Sequence, residues 1–66
     1  MKITLNGQDH EVVPGTTLHR LILDAGRTPA ATLVERNGGI VERDAYASLQ
    51  LDEGDAIELI QFVGGG

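Results

Sequence analysis

Ile57-Glu58-Leu59-Ile60-Gln61-Phe62-Val63-Gly64-Gly65-Gly66 is the stretch on which the reading of the whole chain turns. It reads as a β-strand that runs directly into three glycines. Strand character comes from its β-branched and aromatic residues, and from an alternation that turns Ile57 and Leu59 one way and Glu58 the other. Consecutive glycines hold no fixed conformation alone, since each lacks a Cβ and gives up more backbone freedom on ordering than any other residue. The expectation is a flexible tail projecting from the sheet with the α-carboxylate of Gly66 at its tip. Frayed ends are richer in Ser, Lys, Glu or Pro and stand apart from the fold. A pure glycine segment fused to an apolar strand reads instead as a device that delivers its tip to a partner.

Working outward, the chain opens with a hairpin. Met1, Ile3 and Leu5 alternate with Lys2 and Thr4, and Asn6-Gly7 supplies a two-residue turn in which both residues tolerate positive φ. That turn sets Leu5 opposite Gln8, Ile3 opposite His10 and Met1 opposite Val12, which puts His10 and Val12 on the core side. The second strand ends near Val13, because Pro14-Gly15 is a turn and proline cannot donate to a central ladder. Thr16 or Thr17 caps a helix in which Leu18, Leu21, Ile22 and Ala25 form one apolar stripe, with Gly26 as the stop. His19, Arg20 and Asp24 fall on its wet side. So short a helix is stable only when its stripe lies on a sheet.

Arg27 to Ala31, with Pro29, connects to a third strand, Thr32-Leu33-Val34-Glu35. Asn37-Gly38-Gly39 turns into a short Ile40-Val41 strand. Arg43 to Ala47 reads as a helical turn capped by Asp44, with Tyr46 and then Leu49 or Leu51 returning to the core. Asp52-Glu53-Gly54-Asp55 is a solvated polar turn that feeds the last strand. The sum is an α+β architecture in which one main helix packs on one face of a mixed four- to five-stranded sheet. The ubiquitin-like β-grasp is the small fold that fits most closely, with first and last strands adjacent and parallel at the centre. It would occupy residues 1–63, followed by the glycine tail 64–66.

Composition narrows the function. A chain of 66 residues buries only about 60% of its unfolded surface and leaves little room for a pocket. It contains no cysteine, so cysteine-ligated metals and a thiol nucleophile are absent, and any sulfur chemistry must use sulfur brought from outside. Ten acidic against five basic residues give a net charge of −5 with no basic cluster to follow phosphates, which argues against nucleic acid. No apolar run approaches a membrane span and the chain opens without a leader-like segment, so no membrane association and a cytoplasmic location are expected.

Catalytic constellations are missing as well. His10 reads as a half-buried sheet residue and His19 as a solvated helix residue, neither a ligand nor a base. Asp52, Glu53 and Asp55 lack the spacing of a calcium loop, and Asn37-Gly38-Gly39 lacks the Gly-Lys-Ser/Thr and helix of a phosphate loop. The chain therefore reads as a non-enzyme with no metal and no resident cofactor, and any nucleotide chemistry belongs to a partner.

Several segments in order resemble the ThiS family of sulfur carriers of thiamin biosynthesis: Lys2-Ile3-Thr4-Leu5-Asn6-Gly7, Thr17-Leu18, Val34-Glu35-Arg36-Asn37 followed by Ile40-Val41, Glu53-Gly54-Asp55, and above all Gln61-Phe62-Val63-Gly64-Gly65-Gly66. The resemblance spans the chain. It implies that the carboxylate of Gly66 is adenylated with ATP by an E1-like enzyme of the ThiF type, then converted to a thiocarboxylate that a ThiG-type thiazole synthase consumes. A cysteine desulfurase or another donor would supply the sulfur. Gly64 and Gly65 would thread the partner's channel. The triple glycine departs from the family's minimal diglycine and bears only on how the tail seats.

Elementary chemistry agrees with that scheme. A carboxylate is a poor electrophile with no leaving group, and a mixed anhydride with AMP removes both obstacles. A bare glycine backbone enters a narrow channel where a Cβ would clash. Ordering the tail costs about 1–2 kcal/mol per residue, so other contacts must hold the complex. Ile60 and Phe62, opposite in facing to Ile57 and Leu59, are the docking residues expected, with Val63 beside them; a bent strand that buries Phe62 under the helix edge is the alternative. Two other functions use the same features. One is a sulfur carrier for molybdopterin synthase or amino-acid sulfur transfer, and the other a non-covalent β-grasp interaction module in which the diglycine is irrelevant.

Overall fold

The structure is a computed structural model and describes residues 1–61. Within them lie five strands, β1 (Lys2–Leu5), β2 (Gln8–Glu11), β3 (Thr32–Arg36), β4 (Gly39–Ile40) and β5 (Ala56–Gln61), and one α-helix, α1 (Leu18–Asp24). Short 3₁₀ turns occupy Pro29–Ala31 and Arg43–Ala45. The strands form one sheet in the order β2-β1-β5-β3-β4. β1 and β5 run parallel at its centre, and the other neighbouring pairs are antiparallel. This is the β-grasp arrangement that the strand order of the sequence implied, with the larger of the two strand counts.

The opening hairpin takes the expected register, Ile3 opposite His10 and Leu5 opposite Gln8. Asn6 and Gly7 sit at φ +50° and +83°, and Asn37 and Gly38 at +52° and +87°. Both turns are thus of the primed kind whose twist suits antiparallel strands. Thr17 caps α1, its hydroxyl accepting from the Arg20 N–H at 3.2 Å. The helix ends in a Schellman pattern: Gly26, at φ +76°, donates to the Leu23 carbonyl at 2.9 Å and Arg27 to that of Ile22 at 3.0 Å.

Leu18, Leu21 and Ile22 are buried against Ile3, Val34, Ile57 and Leu59 of the sheet, and Tyr46 and Leu51 close the core's flank. Burying each of the larger aliphatic chains contributes roughly 1.5–3 kcal/mol, and this is what holds a seven-residue helix in place. The Tyr46 hydroxyl donates to the Thr32 carbonyl at 2.8 Å.

Four expectations are corrected. His10 faces the helix side but is exposed, because β2 is an edge strand beyond the reach of α1, while Val12 is half-buried against the core. β2 ends at Glu11 rather than near Val13. Ala25 is exposed, since it is the helix C-cap and the chain is already turning away. Asp44 lies inside its 3₁₀ turn and caps nothing; Glu42 holds the N-cap position and makes no side-chain bond there.

Candidate functional site

The region of interest is the end of β5 and the sheet face that α1 leaves open. Phe62, Val63, Gly64, Gly65 and Gly66, five of the six site residues expected from sequence, lie outside the described residues. Ile60 lies within them and is 40% exposed on the open face, in line with the alternation that buries Ile57 and Leu59.

Side chains from both flanks fix β5. At its start, Asn37 accepts the Ala56 N–H on Oδ1 at 2.8 Å and donates from Nδ2 to Asp55 Oδ1 at 3.1 Å. Asn6 grips it near its end, Oδ1 accepting the Leu59 N–H at 2.8 Å. The first residue of each primed turn is therefore a side-chain clamp on the last strand. Beyond the level of Asn6, β1 has turned away and, among the described residues, β3 alone accompanies β5, as far as the rung Thr32–Gln61. That rung is well braced: Thr32 is fully buried, and its hydroxyl donates to the Thr28 carbonyl at 2.7 Å. The Gln61 side-chain oxygen accepts from an Arg27 Nη1–H.

On the open face, Ile60 stands opposite Leu33. In the next row Glu58 stands opposite Glu35, which stands opposite Ile40. Leu33 and Glu35 are half-buried and Ile40 is 60% exposed. The face therefore pairs an apolar strip, Ile60, Leu33 and Ile40, with two carboxylates at one register position. Like charges directly opposite oppose sheet pairing, and among the described residues neither carboxylate has an ion-pair partner.

Asp55 is a further residue whose expected setting is corrected. It is not a solvated turn residue but 5% exposed, with Arg36 Nε donating at 2.9 Å and the Asp52 N–H at 2.8 Å to its Oδ2. Arg36 Nη2 reaches Asp52 at 2.7 Å. Burial pushes the Asp55 carboxyl up. The Asp52 N–H, the Asn37 amide and the Arg36 guanidinium favour the anion more strongly and hold it below the usual carboxylate value. The network ties the turn before β5 to the turn after β3, so it is structural. A Gly-Asp pair ahead of a strand is its only trace in the sequence.

Among the described residues no pocket is present and no cluster of His, Asp or Glu suited to a metal ion. No helix is long and apolar enough to cross a membrane.

Comparison with known proteins bears on what this site serves. The model of the ThiS family matches residues 3–66. The sulfur carrier protein ThiS of Bacillus subtilis is 34% identical over 97% of this chain and 98% of its own. A thiazole synthase of Magnetococcus marinus is 46% identical over the whole of this chain, which spans about a fifth of that protein's length. The crystal structure of a thiamine biosynthesis protein (ThiS) from Geobacter metallireducens superposes with a TM-score of 0.83 at 30% identity, covering all of both chains.

Proposed function

The chain belongs to the ThiS family, and on that premise we propose that it is a sulfur carrier of thiamin biosynthesis, loaded at the α-carboxylate of Gly66. One observation carries the reading: the chain matches a sulfur carrier protein ThiS over 97% of its length, and in sequence its central strand, clamped on both flanks, is followed by Phe62-Val63-Gly64-Gly65-Gly66.

In this scheme a carboxylate oxygen of Gly66 attacks the α-phosphorus of ATP on an E1-like enzyme, and pyrophosphate leaves. A hydrosulfide sulfur then attacks the acyl carbon, AMP departs with the C–O electron pair, and the thioacid loses its proton to give a thiocarboxylate. No oxidation state changes. Five residues follow Gln61, and fully extended they would reach roughly 15 Å, enough to enter a recessed site while the sheet stays outside.

The open face is the docking surface in this reading. Burying Ile60 and its apolar neighbours contributes roughly 1.5–3 kcal/mol per side chain. A basic group of the partner set between Glu35 and Glu58 would relieve the repulsion that the free carrier tolerates, so the partner surface is apolar with a cationic flank. Phe62 and Val63 would extend that contact toward the tail. Thiazole synthase is the acceptor proposed. Relatives that carry that name hold a similar segment within a longer chain, and a carrier joined to its acceptor meets it at high effective concentration.

The test is intact mass spectrometry of the protein incubated with an E1-like adenylating enzyme, ATP and sulfide. The mass of the starting protein first establishes that Gly66 is the terminal residue. A gain equal to the difference between sulfur and oxygen, dependent on ATP, supports the carrier; an unchanged mass with a competent enzyme rejects it.

A further inference from the structure

We propose that Arg27 is a positioning residue for the loading reaction, one that holds Gln61 in place ahead of the segment to be loaded; this rests on the carrier reading above. At Gln61 the strand has lost β1 as a neighbour and keeps only the rung to Thr32. A strand residue paired on one side is free to pivot about that rung unless something holds its side chain. Arg27 does so, its Nη1–H meeting the Gln61 side-chain oxygen from the same face that buries Leu59.

The Arg27 backbone is itself fixed. Its N–H closes the Schellman end of α1 on the Ile22 carbonyl at 3.0 Å, and Ile22 is fully buried. A bond at an exposed strand end contributes little to global stability, so its effect is local. The guanidinium is a stiff planar donor set at the end of a long stem, suited to holding one amide oxygen from a fixed base. It thereby couples the end of the helix to Gln61, the last described residue of β5. Order already present at Gln61 reduces what must still be ordered when the reacting carboxylate is placed to within about an ångström.

Two measurements on the full chain test this. In the free protein, the ¹⁵N heteronuclear Overhauser effect of the Gln61 amide should fall in Arg27→Ala and Gln61→Ala, while that of Leu59, held by Asn6, stays high. An unchanged Gln61 amide in Arg27→Ala overturns the proposal. In steady-state adenylation by an E1-like enzyme, followed as pyrophosphate release, each variant should lose roughly three- to tenfold in kcat with KM unchanged. The double variant should be no worse than either single one, because both break the same contact, and Arg27→Lys should recover part of the loss. A raised KM at constant kcat, or additive losses, would show that Arg27 meets the enzyme and not Gln61. If the wild-type chain is not adenylated at all, the carrier reading fails, and the amide measurement still decides whether Arg27 orders the strand end.

Discussion

The side-chain oxygen of Asn6 accepts the backbone N–H of Leu59 at 2.8 Å, joining residues 53 positions apart. Asn6 occupies a turn at φ +50°, where the backbone of β1 can no longer offer a carbonyl to β5. Its amide supplies the missing acceptor and carries the parallel ladder one rung beyond the end of β1. Asparagine is therefore used twice at this position, once for its tolerance of positive φ and once for its reach.

Substituting Asn6 separates those two uses. Asn6→Gly keeps the turn and removes the acceptor, and should cost about 1 kcal/mol. Asn6→Ala also puts in the left-handed region a residue without asparagine's tolerance for it and should cost up to about 1 kcal/mol more. Thermal melts give the totals, and hydrogen exchange should show the Leu59 amide losing protection in both.

Asp55 gives the fold a dependence on acid. Its folded pKa lies below the ordinary value, so it contributes stability that is fully present above the unfolded pKa of about 3.9. That contribution is lost as pH falls through the folded value. Asp55→Ala should cost roughly 2–3 kcal/mol at pH 7. Denaturant midpoints measured from pH 6 down to pH 2 should fall less steeply for this variant than for the wild type.

Glu58→Lys should move stability and partner binding in opposite directions. An opposite-charge pair with Glu35 replaces a like-charge one, so the fold should gain about 0.2–1 kcal/mol. Binding to the adenylating enzyme should weaken severalfold, because a cation now meets the proposed cationic flank. A variant both more stable and equally well bound would refute the acidic half of the docking surface.

At Ile60 the balance is different. The residue is 40% exposed, so Ile60→Ala should cost the fold less than about 1 kcal/mol. The same change should weaken the complex by about 1–2 kcal/mol if Ile60 is buried in it. A melt and a titration on one preparation distinguish the two quantities.

At the tip, Gly65→Val should leave the melt unchanged and reduce loading by orders of magnitude if, as proposed, the backbone threads a narrow channel there. One residue added after Gly66 should abolish adenylation outright. Pyrophosphate release reads both.

The fold was legible where one local pattern had one tertiary solution. Ile57 and Leu59 alternate with Glu58 and are buried as the alternation requires, and Asn6-Gly7 and Asn37-Gly38 set the registers of both hairpins. His10 was misplaced because alternation tells which face a side chain takes and not whether that part of the face is covered. Asp55 was missed for a related reason. Its partners Arg36 and Asn37 come from a segment 18–19 residues earlier, and a sequence shows three polar residues without their convergence. In the site, Ile60 could be read from β5 alone, but Leu33, Ile40 and the Glu35–Glu58 row depend on cross-strand register. Arg27 reads as a loop cation until the helix end and the strand end are brought together.

The strand order also bears on how the molecule is made. β5 is the last of the described strands, yet it lies between β1 and β3, so the sheet has no centre until residues 56–61 have been synthesised. β1 waits for a neighbour some fifty residues downstream, and closing so long a loop delays folding until those residues have been made. A chain released early has two unjoined halves of a sheet with bare edges, which invites degradation or aggregation. A protein that has passed this point is complete through Gln61, so a folded molecule has already been proofread almost to its glycines before any partner meets it.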